Sequence, residues 1–109
     1  MPPFLLGELE QLVLLAIARL GSDAYGVAIR REIAARTGRE FPFGSVYTAL
    51  GRLEQKGFVA SRLGDPTPER GGRRKKHYAI TPAGRRAVQR SLDAIRVMAR
   101  GIDTRLETP

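Results

Sequence analysis

The stretch Gly44-Ser45-Val46-Tyr47-Thr48-Ala49-Leu50-Gly51-Arg52-Leu53-Glu54-Gln55-Lys56-Gly57 decides how the chain is read. Val46, Leu50 and Leu53 recur at the spacing of one helical face. Ser45 stands where a hydroxyl can cap the first amides, and Gly57 stands where a helix stops. The spacing predicts a helix over Val46–Lys56. Tyr47, Thr48, Gly51, Arg52 and Gln55 fall largely on its other faces. Such a helix is held by one side and offers polar, long-reaching groups on the other.

Upstream lie two further predicted helices. The first runs from Gly7 to Leu20, with Leu9, Leu12, Val13, Ala16, Ile17 and Leu20 on one stripe. Leu14 and Leu15 fall outside that stripe, so the helix is apolar on more than one side. In a chain this short, the expected second cover is another subunit. Gly21 ends this helix, and Ser22 or Asp23 is expected to cap the next, Ala24–Thr37, whose Tyr25, Ile29 and Ile33 share a face. Gly38 is its expected stop. The short link Arg39–Gly44 contains Pro42, which breaks helical continuity. Three short helices with a tight turn before the third have helix-turn-helix spacing.

Downstream the period changes. Phe58–Leu63 and Lys75–Ile80 alternate as two strands. Between them Gly64–Arg74 is rich in Gly and Pro and reads as a hairpin tip with a basic base. Thr81 then Pro82 is a helix start, a hydroxyl cap followed by Pro at the first helical position. That helix is expected to reach about Leu106. Val88, Leu92, Ile95, Ala99, Ile102 and Leu106 are spaced alternately four and three apart, the repeat of a coiled-coil seam. Twenty-five helical residues would span about 37 Å, whereas a domain of this size has a radius of gyration of only ~13 Å. A second copy of the chain is therefore expected to cover the seam.

Composition narrows the chemistry. The 109 residues hold 19 Lys plus Arg against 11 Asp plus Glu, a formal net charge of +8. Residues 1–43 are neutral, with five basic and five acidic side chains; residues 44–84 carry eight basic and three acidic; residues 85–109 carry six and three. Sixteen of the cations are Arg, whose planar fork suits phosphate and guanine edges. Codon bias of a GC-rich genome would enrich Arg equally well, but it does not explain the clustering. With no cysteine there is no disulfide framework, thiolate nucleophile or Cys-based zinc site. The single histidine, His77, cannot build a multi-His metal cage and is expected to be an ordinary strand residue. No apolar run approaches the ~20 residues of a membrane span, and Met1-Pro2-Pro3-Phe4 lacks the basic start of a secretory signal. No acid pair, triad or phosphate loop is placed by a motif. The expectation is a cytoplasmic protein with an anionic partner, no cofactor, no metal and no enzymatic role.

Double-stranded DNA is the anionic partner that fits. A helix after a tight turn can enter the major groove. Ser45 and nearby free amides can accept a phosphate. Tyr47 and Thr48 offer hydroxyls, Gly51 permits close approach, and Arg52 and Gln55 can reach guanine or adenine. Arg70, Arg73, Arg74 and Lys75 of the hairpin suit phosphates or a narrow minor groove. The plainer alternatives are a solvated helix face for Arg52 and Gln55, a half-buried packing role for Tyr47 and a solvated turn for the hairpin cations. Two rival functions stand beside DNA binding. One is a protein-interaction module working through its coiled-coil helix without specific DNA binding. The other is an RNA binder, which would need an exposed aromatic platform not evident here.

Ala24-Tyr25-Gly26, the 44–57 stretch, and Gly72-Arg73-Arg74-Lys75-Lys76-His77-Tyr78-Ala79-Ile80-Thr81-Pro82-Ala83-Gly84 together resemble the PadR family of transcriptional regulators, in its short branch. The likeness runs over about residues 5 to 106. It implies a mainly α (α+β) winged helix: a three-helix helix-turn-helix core, a two-stranded β wing and a long C-terminal dimerisation helix. It implies a DNA-binding domain over residues 1–80 and a dimerisation helix over residues 81–109. It implies a homodimer that usually represses transcription at a palindromic site. DNA contact is carried onto Ser45, Tyr47, Thr48 and Arg52, onto Tyr25 for the backbone, and onto Arg73, Arg74 and Lys75. Dimer contact is carried onto the last helix and the first. Some short members hold flat aromatic molecules by stacking on tryptophan; this chain has no Trp, so the identity of any small-molecule inducer is left open.

Overall fold

The computed structural model describes residues 6–64 and 75–102. The elements in order are α1 (Glu8–Leu20), a 3-10 turn at Gly21–Asp23, α2 (Gly26–Thr37), α3 (Phe43–Gln55), β1 (Val59–Leu63), β2 (Lys76–Ile80) and α4 (Pro82–Ala99). The two strands pair antiparallel, Val59 opposite Ile80 and Leu63 opposite Lys76. This is the winged helix that the sequence resemblance implies.

One apolar cluster holds the elements together. Val13, Leu14 and Ile17 of α1, Ile29 of α2, and Val46, Leu50 and Leu53 of α3 are its largest fully buried side chains. The wing contributes Val59 and Tyr78, and α4 contributes Ala87 and Val88. An ion pair ties α1 to the end of α3: the Lys56 ammonium lies 2.7 Å from a Glu10 carboxylate oxygen. The other Glu10 oxygen accepts from the Gly7 amide at 2.8 Å, so this largely buried carboxylate is satisfied on both sides.

Several boundaries differ from the sequence expectation, each for a tertiary reason. α2 begins at Gly26, not Ala24, and neither Ser22 nor Asp23 caps it. Ala24 and Tyr25 are instead drawn against the wing: the Ala24 carbonyl accepts from the Tyr78 amide at 2.8 Å, and Tyr25 bridges His77. α3 begins at Phe43 rather than Val46, because the Pro42 carbonyl accepts from both the Ser45 and Val46 amides. Ser45 is therefore within the first turn and is not the cap. α4 ends at Ala99, well short of Leu106; Arg100 turns extended, and Gly101 takes a φ of 85° that favours glycine. Leu14, expected to face a partner, lies wholly inside the chain's own core, and Val88 joins it there. Leu15 and Leu92 are partly buried against that same core. The hairpin tip, with Arg70, Arg73 and Arg74, and the last seam residue Leu106 lie outside the described residues.

The start of α4 follows its sequence signal. The Thr81 hydroxyl accepts from the Gly84 amide at 3.0 Å and donates to the Gly57 carbonyl at 2.7 Å. Gly84 packs directly on the backbone after α3: a Cβ there would stand 2.1 Å from the Phe58 carbonyl oxygen. Backbone cannot yield as a side-chain tip can. Gly84→Ala should therefore destabilise the fold by roughly 1–3 kcal/mol. A thermal melt checks this, and a midpoint equal to wild type would contradict the packing described.

Candidate nucleic-acid interface

The two faces of α3 have opposite fates. Val46, Ala49, Leu50 and Leu53 are buried, whereas Ser45, Tyr47, Thr48, Gly51, Arg52 and Gln55 are all exposed. The expected reading residues thus stand together on one open surface. Among the described residues Arg52 has no ion-pair partner, so its guanidinium is available. Tyr47, at 49% exposure, is open to solvent on one side and packed on the other.

The start of α3 is stiffened by rings and cations. Phe43 and Tyr47, one helical turn apart, stack with centroids 6.3 Å apart and an interplanar angle of 25°. The Arg30 guanidinium of α2 sits 4.6 Å from the Phe43 centroid and donates to the Phe41 carbonyl. In the α2–α3 link, Arg39 lies over the Phe41 ring at 4.9 Å and pairs with Glu8 of α1 at 2.9 Å. That partner holds the Glu8 carboxyl below the usual carboxylate range.

The base of the wing approaches the same surface. Lys75 is exposed, with its ammonium 4.3 Å from the Tyr25 ring centroid. Tyr25 meets His77 edge-on at 5.7 Å. His77 is a strand residue whose Nδ1 lies 3.1 Å from the Lys75 carbonyl oxygen. Lys76 reaches back to Glu54 of α3 at 3.5 Å, and the Ser61 hydroxyl of β1 donates to Glu54 at 2.6 Å. Glu54 thereby ties both strands to the helix. On the inner side, burial pushes the Tyr78 phenol above its ordinary pKa.

Tyr25, Ser45, Tyr47, Thr48, Arg52, Gln55 and Lys75 therefore lie on α3 or on the adjoining α2 start and wing base. Phe43, Arg30 and Gly26 were missed by sequence reasoning. The spacing of Phe43 and Tyr47, four apart, could have paired those two rings. Nothing local could have joined Arg30 or Gly26 to them. Among the described residues no group of three or more His, Cys, Asp or Glu could hold a metal ion, and no helix is long and apolar enough to cross a membrane.

Comparison with known proteins agrees with this architecture. Residues 13–90 match the PadR-like family of transcriptional regulators, and the chain belongs to that family. It is 36% identical over 81 residues to protein X of Lysinibacillus sphaericus, spanning 72% of this chain and 70% of that one. A similar 36% identity over 83 residues relates it to a 37.1 kDa protein in transposon TN4556 of Streptomyces fradiae, of which the match spans only 21%, against 76% of this chain. Among solved structures it resembles a PadR family transcription regulator from Clostridium difficile R20291, with a TM-score of 0.75 at 24% identity, covering 92% of this chain and 99% of that one.

The Glu54 tie carries a pH signature. The Ser61 hydrogen bond and the Lys76 charge, working against desolvation, hold its carboxyl below the ordinary value of 4.5. A carboxylate depressed on folding adds stability that is present above the unfolded pKa and lost as pH falls through the folded one. Glu54→Gln should therefore show a shallower loss of stability than wild type below pH 4.5. Superimposable acid-unfolding profiles would contradict that role.

Proposed function

We propose that this chain is a sequence-specific, double-stranded DNA-binding transcriptional regulator that represses as a homodimer on a palindromic operator. The observation that carries the reading is the open outer face of α3, polar and cation-bearing, on a helix held by its opposite face. α3 enters the major groove, where Arg52 and Gln55 face base edges while Ser45, Tyr47 and Thr48 meet phosphates or sugars. Lys75, with Arg73 and Arg74 of the hairpin, meets the flanking backbone, and Tyr25 joins it. Residues 1–80 do the binding, and residues 81–109 join two copies.

The dimer reading is supported by the far half of α4. Ile95, Val97 and Met98 are 54%, 58% and 79% exposed. Three large apolar side chains on one short exposed segment favour burial by a partner. With Leu14 and Val88 occupied in the core, the pairing surface we propose narrows to Ile95, Met98, Ala99 and Ile102, together with the parts of Leu15 and Leu92 left open. To read successive major grooves on one side of the duplex, the two α3 helices of such a dimer would need to stand about 34 Å apart.

Selection from a random duplex pool tests the function. The expected product is a two-fold symmetric motif with half-sites about 10 bp apart, centre to centre. Arg52→Ala should relax base choice, with a loss of about 1–3 kcal/mol at one position, whereas Lys75→Ala should weaken all sequences alike and lower the salt slope by about one. Enrichment of no motif, or unchanged base preference in Arg52→Ala, would contradict the assignment. Replacing Ile95 and Met98 together by Glu should yield a folded monomer by sedimentation; an unchanged sedimentation profile would contradict the α4 interface.

A further inference from the structure

The Tyr47 phenol reaches across to α2 and rests on Gly26, the first residue of that helix. A Cβ at Gly26 would stand 2.6 Å from the Tyr47 hydroxyl oxygen, 2.8 Å from Cζ and 3.1 Å from Cε1. Gly26 is not in the left-handed region, so backbone freedom does not call for glycine there. Room does. The Tyr47 ring also stacks on Phe43, which lies under the Arg30 guanidinium. Beyond Gly26 a groove opens, lined by Tyr25, Val27, Arg31, Lys75 and Lys76 as well as Tyr47. Three cations thus line the groove on which the phenol borders, and one of them, Lys76, is shared with Glu54.

We propose that Gly26 is a positioning residue for DNA binding: it forms a flat seat that holds the Tyr47 hydroxyl over this cationic groove, ready for a backbone phosphate. The inference rests on the reading of α3 as the DNA-facing helix. An exposed Tyr on a helix would otherwise exchange between staggered χ1 wells. In contact with both Gly26 and the Phe43 ring, Tyr47 is restrained before DNA arrives, so less ordering is left for binding to impose. Alanine at position 26 would force the phenol off its seat. That displacement is easy for the fold, because the clashing atoms are the tip of a half-exposed side chain and Ala favours helix more than Gly. Stability and binding should therefore part company, which a purely structural glycine such as Gly84 would not allow.

The test compares Gly26→Ala, Tyr47→Ala and the double variant with wild type. The probe is a fluorescein-labelled 30-bp duplex, the strongest that wild type recovers from a random pool, titrated by anisotropy at several salt concentrations alongside thermal melts. Gly26→Ala should melt at or above wild type, bind about tenfold more weakly and keep the wild-type salt slope, since no cation is lost. The double variant should bind like Tyr47→Ala alone, because the glycine acts only through the phenol. Wild-type affinity in Gly26→Ala, additive losses in the double variant, or a marked fall in the melting midpoint of Gly26→Ala would each overturn the role of the seat. If wild type recovers no duplex, the DNA reading itself fails and the seat with it. If wild type binds and Arg52→Ala alters base choice while Gly26→Ala binds normally, the glycine's role alone is overturned.

Discussion

Everything on the open surface depends on how firmly α3 is held from behind. Val46, Ala49, Leu50 and Leu53 bury one face of that helix among Val13, Leu14 and Ile17 of α1 and Ile29 of α2. Full burial of a Val or Leu side chain is worth about 1.5–3 kcal/mol relative to exposure. Three such residues, with Ala49, fix the rotation of the helix about its own axis. That rotation in turn decides which side chains face outward. A slip of one residue would turn Leu50 or Leu53 to water and Thr48 or Arg52 inward. The apolar stripe thus specifies the polar face as well as the core.

Smaller contacts set the direction of the helix once its rotation is fixed. The Glu10–Lys56 pair fastens its C-terminal end to α1, and Arg30 fastens its N-terminal end to α2 through Phe43 and the Phe41 carbonyl. Glu54 links its outer edge to both strands through Ser61 and Lys76. The wing is tied to α2 in its turn by the pairing of Ala24 and Tyr25 with β2. Helix and wing base are therefore one surface assembled from four elements, and its charge is mostly positive because Lys75, Arg31 and Arg52 have no ion-pair partner among the described residues.

Local signals made much of this legible. The stripe of Val46, Leu50 and Leu53 placed α3 and its outer residues, and the Thr81-Pro82 pair marked the first turn of α4. The errors arose where distant partners outweighed local preference. Ser22 and Asp23 are good caps, yet pairing of Ala24 and Tyr25 with β2 delayed α2 to Gly26. Ser45 is a good cap, yet the Pro42 carbonyl and the packing of Phe43 started α3 earlier. The seam through Val88, Leu92 and Ile95 revealed an apolar face but not its cover: its first half lies against the chain's own core and only its second half is open. The contact of Gly26 with Tyr47 joins residues 21 apart in sequence, and no periodicity could have exposed it.

If the outer face of α3 lies in the major groove, as proposed, the absence of cysteine from the chain allows its position to be measured directly. Gly51 is exposed and a Cβ there meets nothing within 4 Å, so Gly51→Cys can carry an iron chelate without disturbing the fold. On the duplex recovered by wild type, strand cleavage should centre on each half-site from this position, with none from a chelate at Arg86→Cys on α4. Cleavage from the α4 label with an intact duplex opposite Gly51 would contradict it.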